Sequence, residues 1–155
     1  MPAITTMTNS ITRRAILTGC AITAVALPGL VLPLSAGEAT MTAPEAHQAA
    51  KDNKVVFIDI RTPQEWQQTG IATTAHPVSM HKKGFLQKLD ALIGGDKSRK
   101  IALICATGSR SAYIQSELKK RGYTNTISVA EGMIGGKNGK GWIPRGLPVK
   151  KPDQN

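Results

Sequence analysis

The sequence predicts an α/β fold: a small, mostly parallel sheet with helices on both faces. Three observations predict it. Val55-Val56-Phe57-Ile58 and Ile101-Ala102-Leu103-Ile104 are continuous apolar runs of strand length, as strands buried on both faces require. Segments with helix-capping signals lie before and between these runs. Strand-like and helix-like segments then alternate from Val55 to Val129, the pattern of crossovers in a parallel sheet.

Thr42-Ala43-Pro44-Glu45 is a capping box that opens a short helix reaching about Ala50. The run 55–58 is the first central strand, with Asp59-Ile60-Arg61 at its carboxyl end. Thr62-Pro63-Gln64-Glu65 is a second capping box, with Pro at the first helical position. It starts a helix of about two turns that carries Trp66 and stops by Gly70. Residues 75–80 supply a short strand. Residues 84–93 place Phe85, Leu86, Leu89, Leu92 and Ile93 at helical spacing, closed by Gly94-Gly95. Residues 101–104 form the second buried strand. Residues 111–121 form the best helix, with Lys119, Lys120 and Arg121 in its last turn and Gly122 as its cap. Residues 126–129 form a further strand. The Gly-rich, basic remainder has Trp142 and Leu147-Pro148-Val149 as apolar anchors.

The chemistry concentrates in Cys105-Ala106-Thr107-Gly108-Ser109-Arg110. A cysteine ends a buried strand, and a loop of small residues carries the chain into a helix. Amides of such a loop and first helical turn lack intrahelical partners, and the helix dipole adds positive potential. A thiolate is stabilised in that setting, and Arg110 adds a permanent positive charge. The arrangement suits a nucleophile for a sulfur, phosphorus or arsenic centre. Ligands of parallel sheets bind outside the carboxyl ends of the strands. Three segments converge on that rim: 59–61, 105–110 and 130–133.

Residues 1–36 read as an export signal, leaving 37–155 as a single domain. Arg13-Arg14 precedes an apolar run extending to Leu34, and no acidic residue occurs before Glu38. The small residues Ser35-Ala36-Gly37 suit cleavage after Ala36 or Ala39. The pattern resembles a twin-arginine signal, although Ile16 stands where Phe is more usual; a general-secretory signal is the close competitor. Two further readings exist. Leu17-Thr18-Gly19-Cys20 looks like a lipobox, but the apolar segment continues beyond Cys20. An uncleaved anchor is the other, since residues 15–34 have bilayer-spanning length; Pro28 and Pro33 favour cleavage. The expected location is therefore exported, in the periplasm of a Gram-negative cell, with membrane contact only through an uncleaved signal. Cleavage removes Cys20 and leaves Cys105 as the sole cysteine, unable to form an internal disulfide.

Composition narrows the partners. The chain has 155 residues, enough for one domain, and only 4% aromatic residues. Its net charge is +10, or two less after cleavage removes Arg13 and Arg14. The basic residues are dispersed and not interleaved with stacking aromatics, so nucleic acid is not the expected partner. The same field attracts a small anionic substrate. His47, His76 and His81 show no metal-ligand spacing with Cys105, so neither a metal nor another cofactor is expected.

From about residue 42 to 149 the chain resembles a rhodanese-like domain. The resemblance rests on Asp59-Ile60-Arg61, Glu65-Trp66 with Thr69-Gly70, the loop 105–110 followed by Ser111, Glu131-Gly132-Met133, Trp142 and Gly146-Leu147-Pro148-Val149. It implies a sulfurtransferase, like a thiosulfate sulfurtransferase, that carries a persulfide on Cys105. A sulfane sulfur moves from a donor such as thiosulfate to a thiol, which can be a protein thiol, or to cyanide. Amides of 106–110 stabilise developing charge, and Ala106, Thr107, Gly108 and Ser109 leave room for the added sulfur. Arg110 either holds the loop or a substrate oxyanion, or pairs with a carboxylate. Asp59 and Arg61 support the rim rather than touch substrate.

The chain departs from the family pattern at residues 70–75, where the usual His is absent and Thr74 replaces a Gly. An altered turn with intact chemistry is expected. Residues 134–141 are longer than the usual connection and stand to modify the pocket mouth. A non-catalytic or carrier module docking on an exported redox partner is the alternative function. A cysteine phosphatase or arsenate reductase is the more distant one, because only four residues separate Cys105 from Arg110 where those cradles use five.

Overall fold

The computed structural model describes residues 38–152. The segment read as an export signal lies outside the described residues. The elements run β1 (Thr40–Met41), α1 (Ala43–Lys51), β2 (Val56–Asp59), α2 (Pro63–Thr69), β3 (Ile71–Ala72), β4 (His76–Pro77), α3 (Phe85–Ile93), β5 (Ile101–Ile104), α4 (Ser109–Lys120), β6 (Thr126–Val129) and β7 (Val149–Lys150). The main sheet has the order β1-β6-β5-β2-β4, with every pairing parallel. β3 and β7 form a separate antiparallel pair. The expected α/β class is the observed one.

The central strands alternate their side chains between two cores, which is why their sequences are apolar throughout. Phe57, Ala102, Ile104 and Val129 pack with Ala43 and Ala46 of α1 and Trp66 of α2. Val56, Ile58, Ile101, Leu103 and Cys105 pack with Leu89 and Ile93 of α3 and Ile114 and Leu118 of α4. Both capping boxes form, with Glu45 and Glu65 returning to the amides of Thr42 and Thr62. Trp142 is fully buried; its ring lies 5.5 Å from that of Phe57 and 5.2 Å from that of His47. Its indole N–H donates to the Pro148 carbonyl at 3.0 Å, so it holds the C-terminal loop onto the sheet.

The structure corrects several boundaries. The strand expected over 75–80 pairs regularly only at His76–Pro77, because Pro77 has no amide to extend the ladder. Val78 and Met80 still donate to the carbonyls of Asp59 and Ile60. The helix expected from Ser111 begins at Ser109, after Gly108 in a left-handed conformation at φ 92°. Ser109 and Arg110 therefore belong to its first turn and not to a loop. β1, β3 and β7 had no counterpart in the sequence reading.

Candidate active site

The register brings the predicted segments together. Asp59 pairs with Ile104 across β2 and β5, and Leu103 pairs with Ser128 across β5 and β6. Residues 59–61, 105–110 and 130–133 therefore leave the sheet side by side at its carboxyl edge.

Backbone contacts fix the loop. Met133 N–H donates to the Cys105 carbonyl at 2.8 Å, and Ile134 N–H to the Ala106 carbonyl at 2.9 Å. In a trans peptide the C=O and the following N–H point in opposite directions, and the described chain has no cis bond. The amides of Ala106 and Thr107 are thus turned away from 133–134. Gly108 N–H donates to Cys105 Sγ at 3.2 Å. Among the described residues the amides of Ala106, Thr107, Ser109 and Arg110 have no acceptor, and they sit at the positive end of α4. Two glycines permit this packing. A Cβ on Gly108 would stand 2.0 Å from the Ala130 carbonyl oxygen, and one on Gly132 2.3 Å from that of Ala106.

Cys105 is fully buried. Its sulfur lies 3.7 Å from Ser111 Oγ, which donates to the Gly108 carbonyl at 2.9 Å and meets Ser128 Oγ at 2.8 Å. Both serines are buried. The network closes in either charge state of the sulfur. A thiol donates to Ser111, which donates to Gly108. A thiolate draws the Ser111 proton toward itself, and the Gly108 carbonyl keeps Ala112 N–H at 3.1 Å. Neither serine hydroxyl nor the Gly108 carbonyl is then left unpaired.

Two ion pairs flank the loop and differ in kind. Arg61 and Asp59 are wholly buried. The Arg61 guanidinium donates twice from Nε to the Asp59 carboxylate, at 3.0 and 3.1 Å, and from Nη2 at 2.7 Å. Its remaining contacts are Thr69 Oγ1 at 2.7 Å and the Gly70 carbonyl at 2.6 Å. These contacts tie the end of β2 to the end of α2. Arg110, half-buried, makes a two-point pair with Glu65: Nη1 to Oε2 at 2.9 Å and Nη2 to Oε1 at 2.5 Å. Of the two roles open to Arg110, the carboxylate pair is the one observed.

Arg110 holds the Glu65 carboxyl at about 2, below its ordinary 4.5, with burial opposing and the Thr62 cap assisting. In return Glu65 raises the Arg110 value against burial, and Cys105 and Asp59 add to the rise. Glu65 reads in the sequence as a capping residue and as part of the Glu65-Trp66 motif, with no partner assigned to it. Its second role, like those of Ser128 and Gly132, had no signal because each partner is distant in sequence.

The two departures from the family pattern are visible. The turn at 72–75 closes through Ala75 N–H to the Ala72 carbonyl at 2.8 Å. The Gly-rich segment 134–141 folds back through a bridge between Gly136 and Gly139. A Cβ on Gly136 would lie 3.8 Å from Thr107 Cβ, so this segment stands beside the cysteine loop.

The family model for the rhodanese-like domain matches residues 42–137. The chain belongs to the rhodanese-like family. An uncharacterized protein of Rickettsia prowazekii, RP600, is 27% identical over 106 residues, covering 63% of this chain and 84% of that protein. A sulfurtransferase of Allochromatium vinosum is 27% identical over 108 residues, covering 70% of this chain and 90% of that one. The polysulfide-sulfur transferase homodimer of Wolinella succinogenes shares the fold of this rhodanese-like domain. Its TM-score is 0.57 at 23% identity, over 74% of this chain and 80% of that one.

Two outcomes follow from the site. A carboxyl held low in the folded state stabilises the fold above its ordinary value and loses that effect as pH falls from 4.5 to about 2. In urea titrations the stability gap between the protein and Glu65→Gln should stay constant above about pH 5 and close toward about pH 2. For Ser111→Ala, loss of the hydroxyl that accepts from Sγ and can turn its proton to it should slow alkylation of Cys105 by iodoacetamide at neutral pH roughly tenfold. An unaltered rate would show that the Ser111 hydroxyl keeps donating to the Gly108 carbonyl.

Proposed function

We propose that this protein is a sulfurtransferase that carries a sulfane sulfur as a persulfide on Cys105. The observation that carries the reading is Cys105 at the carboxyl end of β5, its sulfur beside Gly108 N–H and Ser111 Oγ within a loop of unpaired amides. Membership of the rhodanese-like family and the Allochromatium vinosum relative support it. In the first step the Cys105 thiolate attacks the outer sulfur of thiosulfate. A sulfur–sulfur bond forms at Cys105, the bond within thiosulfate breaks, and its electron pair leaves with sulfite. An acceptor thiolate or cyanide then attacks the outer sulfur of the persulfide and returns Cys105 as thiolate. The free loop amides and the α4 dipole oppose the charge that develops on sulfur. Arg110 acts mainly through Glu65, by fixing the first turn of α4 against α2.

The phosphatase reading is less favoured, because the Arg110 fork is committed to Glu65 and the loop is one residue shorter than a phosphoryl cradle requires. The decisive measurement is the intact mass after thiosulfate treatment. One sulfur, about 32 Da, should be added to the protein and not to Cys105→Ser. The serine variant should also lose thiosulfate-to-cyanide transfer; turnover that survives in it would overturn the mechanism.

We also propose that the protein is exported and processed, on the strength of Arg13-Arg14, the apolar run after them and Ser35-Ala36-Gly37. Amino-terminal sequencing of the native protein should begin near Gly37 or Thr40. A start at Cys20 with an attached lipid would replace this with the lipobox reading, and a full-length cytosolic chain would end it. Arg13→Lys with Arg14→Lys should block a twin-arginine route and spare a general-secretory one.

A further inference from the structure

A cleft of about 500 Å³ opens at the β4 edge of the sheet. Its walls include Pro63, Trp66, Pro77 and Phe85, and Lys82, Lys83 and Lys88 also line it. No carboxylate lines it, and none of the three lysines has an acidic partner among the described residues. Trp66 is largely buried, at 9% exposed.

The cleft shares the rim with the cysteine. Pro77 pairs with Asp59 and Asp59 with Ile104, in one row across three strands. At about 4.8 Å per strand, the backbone of β4 there lies about 10 Å from that of Ile104, the residue before Cys105. Pro63 starts α2, whose Glu65 holds Arg110. The volume suits a ligand much larger than thiosulfate, and the separation is too great for a small donor to touch both places. A peptide chain advances about 3.4 Å per residue, so roughly three residues bridge the gap.

We infer that this cleft docks an acidic segment of the protein that presents the acceptor thiol to Cys105, a step that rests on the sulfurtransferase reading above. Carboxylates of the segment meet Lys82, Lys83 and Lys88, and an apolar side chain enters between Pro63, Trp66, Pro77 and Phe85. The acceptor thiolate then attacks the outer sulfur of the Cys105 persulfide. The bond between the two sulfurs breaks, Cys105 leaves as thiolate, and the acceptor departs as a persulfide. Neither oxidant nor reductant is consumed.

The test uses two synthetic peptides of equal length, each with one cysteine. In one, a leucine flanked by aspartates follows the cysteine at a three-residue spacing; in the other, asparagines replace the aspartates. The rate of sulfur transfer from persulfidated protein should favour the acidic peptide by about tenfold at low salt. That ratio should fall to about one in the triple variant Lys82→Gln/Lys83→Gln/Lys88→Gln. A ratio near one in the unaltered protein, or a preference that survives in the triple variant, would overturn the cleft as the docking site. The second result would assign the preference to the overall positive field. A labelled, cysteine-free acidic peptide followed by fluorescence anisotropy separates the two readings. If thiosulfate fails to load Cys105, the sulfurtransferase reading falls. Binding lost in the triple variant still supports the cleft, and equal binding to both proteins refutes it.

Discussion

The site depends on two backbones touching. The loop after β5 and the turn after β6 approach so closely that a methyl group on Gly108 or Gly132 would collide with a carbonyl of the facing segment. That approach lets Met133 and Ile134 take the carbonyls of Cys105 and Ala106. With those carbonyls held, the peptide planes are fixed, and the amides of Ala106 and Thr107 have one direction left. A loop tethered only at its ends would satisfy its amides with water or its own carbonyls. Gly108 also serves the helix: its left-handed backbone turns the chain so that α4 starts at Ser109. The same residue gives its N–H to the sulfur.

Charge is arranged around that contact in two tiers. The Asp59–Arg61 pair is buried, and burying a pair is expensive unless every donor is used. Arg61 uses all three guanidinium nitrogens, through Asp59, Thr69 and Gly70, so its value lies in geometry: it locks β2 to the end of α2. The Glu65–Arg110 pair is part-exposed, with side chains 27% and 29% accessible, and solvent weakens it. It keeps a positive charge near Cys105 while joining the first turns of α2 and α4. A third pair, Arg145 with the buried Glu131, also accepts the Ala43 amide and so ties α1 to the Gly-rich C-terminal region.

What the sequence made legible was local. The capping boxes at Thr42 and Thr62 formed as read, because a cap depends on residues three positions apart. The runs 55–58 and 101–104 became adjacent central strands because apolar continuity reports burial on both faces. The rim of 59–61, 105–110 and 130–133 followed from topology alone. The unseen parts were non-local. β1, β3 and β7 have two residues each, too few for any periodicity, and exist only through pairing with distant segments. Glu65 satisfies its cap so well that nothing in the sequence announces Arg110 as a second partner. Ser128 reads as an ordinary strand residue, and only the fold sets it against Ser111.

The hydroxyl pair gives the buried cysteine sulfur polar neighbours that need not rearrange. Fixed dipoles stand around it: Gly108 N–H, Ser111 Oγ and the start of α4. None of them needs to travel; only the Ser111 proton turns, and Ser128 can follow it. In the sulfurtransferase reading proposed above, a persulfide carries the charge one sulfur further out, past these inner donors. The amides of Ala106, Thr107, Ser109 and Arg110, which have no acceptor among the described residues, are then the loop groups left to receive it. In that reading one set of dipoles serves the bare thiolate and another the loaded one. The division follows from where β5 ends, because moving the cysteine one residue along the strand would turn its side chain to the opposite face of the sheet.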